Sequence, residues 1–397
     1  MGLTPAYIVT GTKNVQKVLG SPVLLDGNFL QLLLMDAHWG LSPSEISKFA
    51  GDNTGRGKAP LPGVEARPEQ ERYWLGHDRL YAEYLSTRRY SDALADSFYK
   101  LFCERLDASA TPEWSTVHLF SLLKTSMAEA AIVSLFGSRI LELNPGFVDA
   151  YWEFDDIAGT LVWGLPRFLQ RRSVAIKDRL HAMTRRHIDS AWEHFRWGGS
   201  EEEEIEWEPH FGSRLSRETA RWLRRGGFSN HAAAGHTLAS LFGLNGNTVP
   251  VTGWAMMELI RDRELFRAVR EEAMSVYEDD NGAGRINAQR LVNLPLLQSL
   301  YVEIMRLHVS FNVTRKTTQP IVVDGYAIEK GALVQACSQI AHFEEDVWGV
   351  EGHPASEFWA WRHVRYDEEG KAQFAMRGRP SSFFPYGERP PMLSLPI

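Results

Sequence analysis

The sequence predicts a mainly α-helical fold with a small β region, and three features carry that prediction. Apolar residues recur at mixed three- and four-residue spacing over most of the chain, as amphipathic helices require. The strand pattern is concentrated after residue 320. No internal repeat and no linker interrupts the 397 residues, so one domain spanning 1–397 is expected.

Phe29–Met35 is a short apolar run and reads as a piece of buried helix. Glu71–Leu106 carries Tyr73, Trp74, Leu80, Tyr81, Tyr84 and Leu85 at helical spacing. Ser115–Phe136 and Ala175–Trp197 read the same way. Glu201–Glu204 are four consecutive acids, most often a solvated loop. The longest helical signal runs from Phe228 to about Ile260, and a further helix is expected at Arg261–Tyr277. Asp279–Gly284 makes a polar break. Pro295 then opens a helix at a position where its missing N–H costs nothing. Ile321–Val323, Asp324-Gly325 and Tyr326–Ile328 read as a tight hairpin, because Asp-Gly supplies the positive φ such turns need. A second turn at Glu329–Gly331 leads into a strand at Ala332–Ala336.

Composition excludes several classes. A formal charge of −7 and a pI near 6.0 argue against nucleic acid as a partner. The arginine pairs are scattered and belong on solvated helix faces. Two cysteines, Cys103 and Cys337, exclude a disulfide framework and a Cys-rich zinc site. No stretch approaches the ~20 apolar residues of a membrane helix, and no signal peptide opens the chain. A cytoplasmic protein is expected. There is no Gly-x-Ser-x-Gly elbow and no His-Glu-x-x-His helix.

Three segments can carry chemistry. Glu303 and Arg306 share one helix face, and Arg362 can close a three-membered ion network on them. Taken alone, such a pair is more often a surface contact worth under ~1 kcal/mol. Gly246-Asn247-Thr248-Val249-Pro250 interrupts the long helix, since Pro250 has no N–H for the carbonyl of Gly246. The result is either a polar notch at a kink or a capped junction between two helices. Phe383-Phe384-Pro385-Tyr386-Gly387, by itself, is a turn.

In this order the segments resemble the cytochrome P450 family of haem-thiolate monooxygenases. The resemblance rests on Thr248, on Glu303 55 residues after it with Arg306 on the same helix, and on Arg362 56 residues after Arg306. Leu294-Pro295-Leu296-Leu297, Asp324–Gly331 and His342 with Asp346–Gly349 agree with it. It is specific from about Phe228 to Gly387 and weaker from Tyr7 to Arg225. Gly164–Phe168 gives the chain a fungal character, and Gly-Asn-Thr-x-Pro is similar to the sterol-hydroxylase and prostacyclin-synthase branch.

The resemblance implies a cytochrome P450 fold, a haem cofactor, a small apolar substrate and an NADPH-dependent reductase as electron donor. Thr248 matches the alcohol that orders water for O–O cleavage, and Asn247 stands where many members have a carboxylate. An amide holds a water but is a poor proton donor. Arg315 matches a cation that pairs with a haem propionate, and Trp74, His77 and Arg79 are further propionate candidates. Glu303, Arg306 and Arg362 are implied to be structural.

The haem loop departs from the family pattern. Counting on from Gly387 places the axial cysteine at Leu393, and leucine cannot ligate iron. Tyr386, Met392 and His308 are the possible substitutes. The fold is therefore expected to be incomplete at the carboxyl end, without the family's next helix. The amino end is also expected to be short, because Tyr7–Gly11 already resembles the strand and turn before the second helix. An intact gene product would be anchored to the endoplasmic reticulum. Two functions follow: a monooxygenase of terpenoid, steroid or polyketide metabolism that is catalytically impaired in this form, or an inactive remnant retaining an apolar or haem-binding pocket.

Overall fold

The computed structural model describes residues 4–21, 24–162, 165–198, 205–278 and 285–385. The acidic run Glu201–Glu204, the break Asp279–Gly284, Gly164, and Tyr386 through Leu393 to Ile397 lie outside them. The chain forms two compact units, one from 31–249 and one from 1–30 with 250–397. Both boundaries fall inside helices, Asn28–Ala37 and Asn230–Arg261. That is why no linker marks them in the sequence.

The 31–249 unit is helical. Its core gathers Trp39, Phe49, Trp74, Ile132, Tyr151, Phe154 and Leu241, among others. The single helix expected over Glu71–Leu106 is instead two, Tyr73–Ser86 and Arg88–Ser109. Thr87 between them is extended, with φ −77° and ψ 120°. The apolar spacing continues through the break, so periodicity could not reveal it. The Asn28–Ala37 helix has no fully buried residue, a correction to the buried reading of Phe29–Met35. The helical run Leu119–Phe136 corrects another expectation. It is apolar enough over 18 residues to cross a membrane by length and composition, yet 56% of it is buried within the protein. Five of its residues, Leu123–Met127, form a π turn. It ends at Gly137 (φ 84°), which packs against Gly212 so closely that a Cβ on either would strike the other's backbone at 2.2–2.9 Å. Only glycine permits that crossing.

The long helix runs without interruption from Asn230 to Arg261 with Pro250 inside it. The capped junction considered from sequence does not form. Leu238, Leu241 and Val249 are buried along its 31–249 portion, and this packing maintains the helix through the residues before the proline.

The other unit holds a four-stranded sheet in the order Ala6–Val9, Leu333–Cys337, Asn312–Thr317, Leu25–Asp26. The first pair is parallel and the others antiparallel. The hairpin forms as expected: Val323 pairs with Tyr326, and Asp324 (φ 52°) and Gly325 (φ 81°) make the two-residue turn. Helix Pro295–His308 begins with proline at its first turn. The Glu272 carboxylate accepts the backbone N–H groups of Leu296 and Leu297, both at 2.9 Å, and so satisfies two otherwise orphaned donors.

Candidate functional site

Helix Pro295–His308 buries Leu300, Ile304, Glu303 and Arg306, so an acid and a base three residues apart face the interior rather than solvent. Glu303, Arg306 and Arg362 are each fully buried. Arg306 Nε and Nη2 donate to the two Glu303 oxygens at 2.8 and 2.9 Å, and Arg362 Nε donates to Oε2 at 3.0 Å. Arg306 also donates to the carbonyls of His342, Ala355 and Glu357. Arg362 reaches those of Trp348, His353, Pro354 and Glu357 at 2.8–3.1 Å. Burial by itself would raise the Glu303 pKa, but the Arg306 hydrogen bonds and the two guanidinium charges hold it at about 2. The three side chains are thus joined and buried, with Glu303 held as the carboxylate.

Arg315 lies on strand Asn312–Thr317, opposite Val334 of the neighbouring strand. Its guanidinium rests over Gly27, where a Cβ would stand 3.0 Å from Cζ. Glycine at 27 makes room for the cation.

Asn247 and Thr248 are both exposed on the long helix. Asn247 Nδ2 donates to Gly243 O at 3.2 Å, and Thr248 Oγ1 donates to Leu244 O. Sequence reasoning missed the groups that face the adjacent turn. A Cβ on Gly246 would lie 3.0 Å from Asp155 Oδ1 and 3.3 Å from the Tyr151 hydroxyl. Burial, and then the charge of Asp156, raise the Asp155 pKa. Tyr151 and Asp155 are four apart on helix Phe147–Leu161, which reads as ordinary core helix, so no sequence signal pointed to them.

Helix Tyr73–Ser86 places the other candidates. The only donor of the Trp74 ring, Nε1, is committed to Phe49 O at 2.9 Å, and Arg79 pairs with Glu69. His77 Nδ1 is 3.2 Å from Asp78 Oδ1, and its ring faces that of His236 with centroids 5.2 Å apart. His308, a possible substitute ligand, sits 3.1 Å from Glu258 Oε1 and stacks on Trp254 at 4.1 Å. Tyr386, Met392 and Leu393 lie outside the described residues.

Residues 93–353 match the sequence model of the Cytochrome P450 family. The cytochrome P450 monooxygenase calL of Penicillium decumbens is 43% identical over 392 residues, 98% of this chain and 73% of that protein. The chain belongs to the cytochrome P450 family. The P450 monooxygenase efuG of Hormonema carpetanum is 25% identical over 71% of the chain. FsoE of Humicola fuscoatra, another P450 monooxygenase, is 27% identical over 66%. This chain spans 55% and 47% of those two proteins, about half their length.

P450 proteins carry haem and take electrons from a redox partner to oxidise small organic substrates. Arg315, a cation in a glycine cradle, suits a propionate. The iron's axial ligand is another matter. Cys103 lies on helix Arg88–Ser109, and Cys337 ends a strand with Sγ 3.9 Å from Ser310 Oγ. The sequence after Phe384 contains no cysteine.

Proposed function

We propose that this chain derives from a fungal P450 monooxygenase of secondary metabolism acting on an apolar terpenoid, steroid or polyketide, and that in this sequence thiolate-dependent oxygenation is impaired. The observation carrying the first half is the intact Glu303–Arg306–Arg362 network in a chain 43% identical to a P450 monooxygenase. The impairment rests on Leu393, which stands where the family pattern places the cysteine.

Within this reading Arg315 is the propionate cation, with His77 a further candidate. Trp74 and Arg79 serve only if they exchange their present partners. Thr248 holds water through its acceptor lone pairs, its one donor being turned back onto the helix, and Asn247 holds it through its amide oxygen or its second N–H. An NADPH-dependent reductase at the cytoplasmic face of the endoplasmic reticulum is the proposed electron source. The alternative, a remnant that binds an apolar ligand without oxidising it, is favoured by the same Leu393.

The test is a carbon monoxide difference spectrum of the reduced chain expressed with ample haem. Absence of the family's thiolate band supports impairment, and its presence overturns it. Sequencing the transcript through the codons after Gly387 separates the two origins. A frame that restores a cysteine there identifies a competent monooxygenase gene, and its absence leaves the remnant.

A further inference from the structure

Two histidines from different helices meet in the 31–249 unit. His181, on helix Arg171–His194, and His231, in the first turn of helix Asn230–Arg261, bring their ring centres to 4.1 Å. A Cβ built on Gly40 would stand 3.7 Å from the Nε2 atoms of both rings. The two nitrogens therefore border one space, which glycine leaves open. The Gly40 carbonyl accepts from His231 Nε2 at 3.0 Å, so a backbone oxygen reaches the same place.

His181 is 5% exposed, and its Nε2 is buried with no hydrogen-bond partner. A buried polar atom left in that state is uncommon in native structures. Burial first, and then His231 and Lys177, lower the His181 pKa to about 4. The ring is neutral at pH 7, which is the form that binds a metal. Ligation through Nε2 puts the proton of each ring on Nδ1. For His231 this moves one proton across the ring of an exposed residue, and none leaves the protein.

The geometry is close to what an ion requires. With Zn–N bonds of 2.0–2.1 Å, two imidazoles side by side on one ion have ring centres roughly 4.5–5 Å apart. The pair needs to open by less than about 1 Å. Lys177 and the amino end of the long helix oppose a cation, and Asp178, 3.5 Å from Lys177 Nζ, partly offsets them. Among the described residues no group of three or more His, Cys, Asp or Glu could hold a metal, so the remaining positions fall to Gly40 O and water. His231 lies seventeen residues before Thr248, roughly 25 Å along the helix axis.

We propose that His181 Nε2 and His231 Nε2 bind one Zn²⁺ ion beside Gly40, with the Gly40 carbonyl oxygen and water completing its coordination. Imidazole selects zinc over magnesium, which prefers oxygen ligands. The ion would clip the Gly40 segment to two helices, and the site does not depend on haem or on oxygenation.

Isothermal titration of the full chain at pH 7 with ZnCl₂ and, separately, MgCl₂ tests it. Wild type should bind Zn²⁺ and not Mg²⁺. Loss of an outer-shell partner alone typically lowers metal affinity 10–100-fold. His231→Gln and His181→Gln, which each remove a ligand, should therefore weaken Zn²⁺ binding about ten-fold or more. The proposal is overturned if wild type does not bind Zn²⁺, if it binds Mg²⁺ equally well, or if either folded variant keeps the wild-type affinity. His231 is exposed, so its variant decides the matter even if His181→Gln fails to fold.

Discussion

His342 accepts the backbone N–H of Phe384 through Nε2 at 3.2 Å, while its own carbonyl accepts Arg306 Nη1 at 2.9 Å. One residue thus ties the buried ion network to the start of the Phe383–Pro385 segment. The ring also packs on both phenylalanines, with centroids 5.4 Å apart in each case. Accepting that N–H requires a neutral imidazole. Burial first, and the Arg306 charge second, lower the His342 pKa to about 4.

This arrangement sets a pH dependence. The folded pKa is depressed below the ordinary 6.5, so between about pH 4 and 6.5 the unfolded chain binds a proton that the folded chain does not. Stability therefore falls as pH falls through that window, by roughly 1 kcal/mol per pH unit for each such group. His181, with its pKa lowered to about 4, and His187, lowered to about 3, act in the same direction. Urea midpoints should drop steadily from pH 7 to pH 5, and His342→Gln should make the decline shallower. An unchanged slope in that variant would mean that His342 is already charged in the folded protein.

The ion network makes a second prediction. Breaking it from one side, with Arg362→Met, leaves Glu303 buried beside a single guanidinium and should cost roughly 3–5 kcal/mol. In some proteins an entire buried ionic set can be exchanged for apolar residues at no cost. Here the exchange should fail, because Arg306 and Arg362 also satisfy the carbonyls of His342, Ala355, Trp348, His353 and Pro354. A triple apolar variant should therefore be no more stable than Arg362→Met in chemical denaturation. Recovery of wild-type stability would contradict that account.

The sequence carried the Pro295 helix start and the Asp324-Gly325 hairpin because each follows from local chemistry: a missing N–H, a positive φ. The ion network was legible only through the family resemblance, since the spacing of Glu303 and Arg306 alone favours a surface pair. It did not carry the break at Thr87, where one residue changes conformation without disturbing the apolar period. Nor did it carry the contacts at Gly246. Tyr151 and Asp155 lie some ninety residues earlier in the chain, and only tertiary packing brings them to that helix. The commitment of the Trp74 indole to Phe49 was hidden for the same reason.

Glu45 supports a third prediction. In the capping box of helix Pro43–Gly51, its Oε2 accepts from Ser42 N at 3.0 Å and Ser42 Oγ at 2.6 Å. Its Oε1 takes Ser229 N at 2.9 Å and Ser229 Oγ at 2.7 Å, just before the long helix. Burial raises its pKa, but these four bonds outweigh that and bring it to about 2. The sign is opposite to that of the histidines: its contribution is present above pH 4.5 and is lost as pH falls towards 2. Glu45→Ala should cost roughly 2–3 kcal/mol, loosening both helix starts. Hydrogen exchange should show lost protection at residues near 42 and 229 together, and loss at 42 alone would refute the link.

Two glycines on the long helix allow a paired prediction in which propensity and packing oppose each other. In an exposed helix interior, Gly→Ala gains about 1 kcal/mol. At Gly243 a Cβ would meet nothing within 4 Å, so Gly243→Ala should stabilise by nearly that amount. At Gly235 the same Cβ would stand 2.1 Å from the carbonyl oxygen of Trp39. That neighbour is backbone and cannot rotate away, so the helix or the Trp39 segment must shift. Overpacking of this kind typically costs 1–3 kcal/mol, enough to reverse the propensity gain. Thermal melts of the two variants should therefore move in opposite directions from wild type. If both rise, the close approach of Gly235 to Trp39 is not a feature of the folded protein.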